Sequence, residues 1–234
     1  MKVTMLGTGT SFPDPDRVQS GVMVEADENV ILFDIGSGVL HRLVQTGIDI
    51  TRIEHLFISH FHVDHCSDFM TLIQSLWLSG YDKVLHVYAA SYAKTWWQGL
   101  FEHSFEYMKD RIRIELIELD PDDAVSIGNV RITTSPTAHG DRDSRAFKVQ
   151  YGSKTMVYTS DTGPDEKITR FAKEVDLLIH ECNWLDGEHE KEVHTSPSEL
   201  NDIVRASGAK TVVVTHVSPE VVEQADEVVK IVGR

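Results

Sequence analysis

One window constrains this chain more than any other: His60-Phe61-His62-Val63-Asp64-His65, three imidazoles and a carboxylate in six residues. An apolar run, residues 53–58 around a single His55, leads straight into it. Imidazole and carboxylate are the ligands that hold zinc, manganese or iron at neutral pH. Alternate side chains of an extended backbone project the same way, which lets His60 and His62 share one cation. Asp64 and His65 stand one step further on, where the chain turns into a helix, and are better placed for a second cation. Two adjacent cations point to hydrolysis, because a metal pair activates water and holds the reacting oxygens. The chain has 12 histidines, and a lone surface histidine is usually only surface. Four ligand-type residues in one short window, after a buried-looking strand, are a different matter.

At 234 residues, with 41% hydrophobic and 25% charged residues, the chain is long enough for a real core and reads as one domain over residues 1–234. No apolar stretch approaches the roughly 20 residues of a membrane helix, so no membrane partner is expected. The N-terminus looks like a strand and lacks a signal-peptide core. Two cysteines, Cys66 and Cys182, imply no disulfide framework, and a cytoplasmic protein is the simplest account. A net charge of -15 disfavours long-range attraction to nucleic acid or anionic membrane. Two basic groupings, Arg142 with Arg145 and Lys148, and Lys109 with Arg111 and Arg113, read as solvated faces.

Short strand signals recur at residues 2–6, 21–26, 30–34, 53–59 and 84–89, then at 112–119, 130–136, 146–151, 155–159, 175–180 and 211–215. Helical periodicity is predicted over 36–47, 68–79, 91–105, 164–173, 196–207 and 219–232. Clustered strands followed by strand–helix alternation suggest an α/β (α+β) architecture of two packed sheets with helices outside. Residues that close apolar strands are where such folds place chemistry. Asp34, His60, His139, Asp161 and His216 all occupy such positions. Asp161 before Thr162-Gly163-Pro164 fits a plain turn as well, and His216 before Ser218-Pro219 fits a residue ahead of a helix cap. Their joint recurrence lifts them. His194 precedes Ser196, Pro197 and Glu199, a capping box with proline at the first helical position. That helix start limits the freedom of His194, which suits a proton donor to a leaving oxygen. Cys66 reads as a small buried residue at a helix start, and Cys182 as structural.

Together these residues resemble the metallo-β-lactamase superfamily, along almost the whole chain. The matching stretches are Phe33-Asp34-Ile35-Gly36-Ser37-Gly38, the window 60–65, Thr137-Ala138-His139-Gly140, Ser160-Asp161-Thr162-Gly163 and Thr215-His216. The resemblance implies a four-layer αββα sandwich with the metals at one edge. By resemblance His60, His62 and His139 bind one metal, Asp64, His65 and His216 the other, and Asp161 bridges them. Asp34 looks like the carboxylate that orients a ligand histidine. Within the superfamily the chain is most similar to the ribonuclease Z and phosphodiesterase branch, through Leu6-Gly7-Thr8-Gly9-Thr10 and His194-Thr195-Ser196. In that branch the residue matching His194 assists phosphodiester cleavage.

Ribonuclease Z enzymes insert a long tRNA-gripping arm between the elements that match His139 and Asp161. Here only residues 140–160 lie between, enough for two strands and a turn. The expected activity is therefore a phosphodiesterase using two divalent ions on a small phosphodiester, such as a cyclic nucleotide or short nucleotide diester. Asp64 would orient the attacking water or take its proton, and His194 would protonate the leaving oxygen. The nitrogen-rich ligand set suits zinc, with manganese or iron as alternatives. Alternative activities are tRNA 3′ processing, or lactone, thioester or aryl sulfate hydrolysis on the same fold. The aromatic residues between Leu76 and Phe105 fit a homodimer face or a core equally well.

Overall fold

The computed structural model describes residues 1–190 and 192–233. The chain forms two compact units, one from Met1–Gly7 with Val18–Asp120, the other from Thr8–Arg17 with Pro121–Arg234. Each unit carries one six-stranded sheet.

In the first unit, strands β1 (Lys2–Gly7), β2 (Gly21–Ala26), β3 (Asn29–Phe33), β4 (Ile53–Ile58), β5 (Val84–Ala89) and β6 (Arg113–Glu118) lie in chain order. β1 to β3 form an antiparallel meander, and β3 to β6 run parallel. Parallel neighbours need crossover segments. They are α1 (Val39–Gln45), then α2 (Val63–Cys66) with α3 (Phe69–Leu78), then α4 (Ala93–Gln98), which passes into a wider π-helical turn at Gly99–Ser104. A single helix is predicted over 91–105. The regular turns stop where Gly99, the poorest helix former short of proline, enters.

Leu32, Leu56 and Val87 of this sheet pack in one core with Leu43, Phe69, Leu72 and Leu76 of the helices, all fully buried. Each such side chain contributes about 1.5–3 kcal/mol. Phe33, Phe57 and Tyr88 stack in a row across β3, β4 and β5, with centroids 5.2 and 4.2 Å apart. Gly36 is required where it stands, because a Cβ there would lie 2.1 Å from the carbonyl oxygen of Asp64. That approach lets Ile35 donate to the carbonyl of His65 (2.8 Å) and Ser20 to that of Asp64 (3.2 Å), which ties down the backbone of α2.

The second unit orders its strands β12-β11-β10-β9-β8-β7. They are β7 (Ala124–Ile127), β8 (Val130–Pro136), β9 (Arg145–Tyr151), β10 (Lys154–Tyr158), β11 (Leu177–Glu181) and β12 (Val212–Thr215). β7 to β10 are antiparallel, and β10 to β12 parallel. β7 escapes the sequence pattern because it is an edge strand with a single buried residue, Ile127. Helices α5 (Glu166–Phe171) and α6 (Pro197–Ser207) cross between the parallel strands. Val157, Leu178 and Ile203 share one core cluster. Leu200, Val221 and Val228 share another with the last two helices, α7 (Pro219–Glu223) and α8 (Ala225–Val232). The one terminal helix predicted over 219–232 is thus two, parted at Gln224, whose φ of -110° is not helical. α6 opens on the predicted capping box of Ser196 and Glu199 with Pro197 first, and ends at Gly208 with φ +67°. Among the described residues no helix is long and apolar enough to cross a membrane.

Candidate metal centre

β3 and β4 end side by side, and their ends build the first ligand group. Asp34, fully buried, adopts φ +58° just past β3. A non-glycine residue pays for that left-handed backbone, and here it turns the carboxylate toward the end of β4. One oxygen accepts from the Ser59 amide (2.7 Å). The other accepts from the Ser59 hydroxyl (2.9 Å) and from His65 Nδ1 (2.8 Å). With its own proton given to Asp34, the Ser59 hydroxyl accepts from His60 Nδ1 (3.0 Å). Both histidines are thereby held in the tautomer that leaves a lone pair on Nε2. His60 Nε2 stands 3.0 Å from His62 Nδ1, and His65 Nε2 stands 3.8 Å from an Asp64 oxygen. Two ligands at zinc distances on one tetrahedral ion stand about 3.4 Å apart, so both pairs have the spacing of shared coordination.

The second group is gathered by the strand ends of the other unit. His139 follows β8 and gives its Nδ1 proton to the Val193 carbonyl (2.8 Å). Ser160 (φ +54°) turns the chain after β10 and presents Asp161, while His216 (φ +47°) closes β12. One oxygen of Asp161 lies 3.7 Å from His139 Nε2 and 3.4 Å from His216 Nε2, a carboxylate placed to serve more than one ligand site. Asp161, His194 and His216 each offer a ligand atom within 4.8 Å of the others. These buried imidazole and carboxylate groups are donor sets for a divalent metal.

His194 differs from the other histidines of these groups in what holds it. Its Nδ1 donates to Glu181 Oε1 at 2.7 Å. Glu181 is fully buried at the end of β11. It also accepts from the amides of Thr162 (2.9 Å), Asn183 (3.1 Å) and Thr195 (3.2 Å). These donors and His194 together fix the position of the carboxylate, which in turn orients the His194 ring. The His194 ring packs among His139, Trp184 and His216, with centroids 5.1, 5.3 and 5.4 Å away.

The structure thus gathers His60, His62, Asp64, His65 and Asp34 in one group, and His139, Asp161, His194 and His216 in the other. Sequence reasoning missed Ser59 and Glu181. Glu181 carries the same signal as the others, a polar residue closing an apolar strand, hidden behind His180. Burial pushes the His180 imidazole pKa down, as befits a neutral core histidine. Cys66 is buried with Sγ 3.3 Å from the His62 carbonyl. Burial, then the carboxylates of Asp34 and Asp64, push its thiol up to about 12, away from the thiolate form. The basic groupings dissolve into local contacts: Arg142 pairs with Asp141, Arg145 with Asp143, Lys148 lies over Phe171 and Arg111 over Trp77.

A family model described as "Anti-Pycsar protein Apyc1" matches residues 1–231. Ribonuclease Z of Pyrococcus furiosus is 27% identical over 94% of this chain and 87% of its own. YhfI of Bacillus subtilis is 28% identical over 92% of this chain and 86% of its own. The crystal structure of YhfI, a metallo-β-lactamase fold protein, superposes with a TM-score of 0.85 at 25% identity, covering 99% of this chain and 93% of that one. Human tRNase Z, short form, shares the fold at a TM-score of 0.82 and 22% identity, with 94% of each chain covered. The ribonuclease Z alignment runs over 270 positions and the YhfI alignment over 222, on nearly the same share of this chain. Ribonuclease Z therefore carries residues that have no counterpart here.

Proposed function

Since the chain belongs to the family of the anti-Pycsar protein Apyc1 and is a metal-dependent hydrolase of the metallo-β-lactamase fold, we propose that its substrate is a small phosphodiester, a cyclic nucleotide or a short nucleotide diester. In this reading the two ligand groups serve one pair of divalent cations. His60, His62 and His139 hold one, Asp64, His65 and His216 the other, and Asp161 is shared. The preponderance of imidazole favours zinc.

The observation that carries the choice of substrate is the stretch from His139 to Asp161. It consists of a short loop, β9, a turn at Gly152-Ser153 and β10, paired without a break from Tyr151 with Lys154 to Phe147 with Tyr158. Nothing there can reach along a tRNA. The net charge of -15 repels a long polyanion, whereas a substrate with one phosphodiester needs only local compensation.

The cations, when bound, supply Lewis acidity and a water of lowered pKa. The rest falls to side chains. Asp34 and Ser59 fix the tautomers of His60 and His65. Asp64 orients the attacking water and takes its proton. As the new phosphorus–oxygen bond forms, the bond to the leaving oxygen breaks, and His194 as imidazolium delivers its Nε2 proton to that oxygen. Glu181, bound to Nδ1, stabilises the imidazolium and aims the ring, as a carboxylate does for a catalytic histidine.

The test is a panel on the purified, metal-loaded protein: cyclic nucleotides, dinucleotide diesters, a lactone, a thioester and a precursor tRNA. Turnover of the small diesters is expected. Cleavage of the precursor tRNA in preference to them would replace this reading with tRNA 3′ processing, the activity named for the ribonuclease Z relatives.

A further inference from the structure

After Glu181 the chain leaves the sheet and comes back beside the end of β11 at His194, and the neck of this excursion is closed. The Trp184 amide donates to the Thr195 carbonyl (3.3 Å). Inside the neck the Trp184 indole meets the His194 ring at a steep angle, 77° between planes, with centroids 5.3 Å apart. His189 lies nearly parallel to the same indole, at 18° and 6.1 Å. Its Nε2 is 3.6 Å from the carboxylate of Glu199, which also caps the Ser196 amide (2.9 Å). Asp186 accepts from the amide (3.0 Å) and hydroxyl (2.7 Å) of Ser198. The loop is therefore fastened to the start of α6, the helix that begins just after His194.

The Glu181 hydrogen bond fixes one nitrogen of His194, and the rings of His139 and His216 lie on other sides of the imidazole. On the loop side the wall is the Trp184 indole. We propose that Trp184, braced by His189, is a positioning residue that holds the His194 ring in line for proton delivery. The proposal rests on the reading of His194 as the general acid. Trp184 itself exchanges no proton. It acts by restricting a donor whose misplacement by about 1 Å can cost 10²-fold in rate.

Positioning of an acid matters only where the leaving oxygen needs a proton. The experiment compares Trp184→Leu, Trp184→Phe and His189→Ala on two diesters. In one the leaving group is p-nitrophenolate, which departs unprotonated; in the other it is an alkoxide, as in a nucleoside cyclic phosphate. For Trp184→Leu, kcat on the alkoxide substrate is expected to fall roughly 10- to 100-fold, with KM, bound metal and p-nitrophenolate release nearly unchanged. Trp184→Phe should restore most of the loss, and His189→Ala, which keeps the wall but removes its brace, should show a smaller loss with the same leaving-group selectivity. Equal losses on both substrates, or none on either, overturn the proposal. His194→Ala is run beside them. If it too lacks leaving-group selectivity, the acid assignment has failed; if only the Trp184 variants lack it, the wall has.

Discussion

The two ligand groups reach similar chemistry by opposite routes. In the first unit four metal-binding candidates sit in one six-residue window, and a single buried carboxylate, Asp34, steadies two of them through its own contact and through Ser59. In the second unit His139, Asp161, His194 and His216 come from four separate strand ends and loops. They are steadied in three ways: a backbone carbonyl for His139, left-handed backbone at Ser160 and His216 for Asp161 and His216, and Glu181 for His194. The first arrangement is local and places ligands. The second is assembled by the sheet and, in the proposed reading, places both ligands and a proton donor. Asp34 and Glu181 look alike, buried carboxylates on histidines, yet one is expected to govern metal affinity and the other proton transfer.

The largest expected effect comes from Asp161. Asp161→Asn removes the oxygen that lies near two imidazoles, so bound metal, measured by elemental analysis, and turnover should fall together. A variant that kept a full complement of metal and normal turnover would break the proposed sharing. His194→Ala comes next. It should keep its metal and lose roughly 10²- to 10⁴-fold in kcat on an alkoxide diester. Metal loss in that variant would instead move His194 into the ligand set that its closeness to Asp161 and His216 permits. The two carboxylates give the sharpest contrast. Asp34→Asn should weaken metal binding by about 10–100-fold, read by competition with a chelator, while saturating metal restores its rate. Glu181→Gln should leave the chelator curve in place and slow the alkoxide substrate at any metal concentration. Identical behaviour of the two variants would erase the distinction.

The smallest effect lies outside both groups. Burial, and secondly the neighbouring His86, push the His55 imidazole from 6.5 down to about 4. Its ring stacks on His86 at 5.0 Å and its Nδ1 is 3.3 Å from the Tyr88 hydroxyl. Between those two values the unfolded chain binds more protons than the folded one, so stability rises with pH across the window and is lost on acidification. The urea midpoint should fall between pH 7 and pH 5, and His55→Phe should flatten part of that fall. An equal slope in the variant would locate the acid sensitivity elsewhere.

What was legible beforehand follows the same division. The window 60–65 announced itself because its ligands are neighbours in the chain and an apolar strand precedes them. The dispersed ligands were separately ambiguous, since a histidine or aspartate after a strand also serves as a cap or a turn. Only their shared place at strand ends, and then the family resemblance, brought them together. Ser59 is invisible because its role is set by hydrogen bonds across the fold, which periodicity does not encode, while Glu181 carries the strand-end signal but stands behind His180. Most strands were read to within a residue or two, since their side chains are apolar and bounded by turn residues. β7, polar and at an edge, had no such pattern to offer. The kink at Gln224 has no evident signal in the residues around it.

The tight turn at Gly152-Ser153 has a consequence for how such a chain changes its diet. It joins two fully paired strands, its glycine already sits at φ +57°, and the backbone there has open space around it. Lengthening a surface loop is cheap, about 0.6 kcal/mol for each doubling, and the ladder on either side would keep its register. On the proposed reading of the substrate, a graft of an RNA-binding segment at this one spot extends the reach of the site to polymers without touching a single catalytic group, and deletion runs the change backwards.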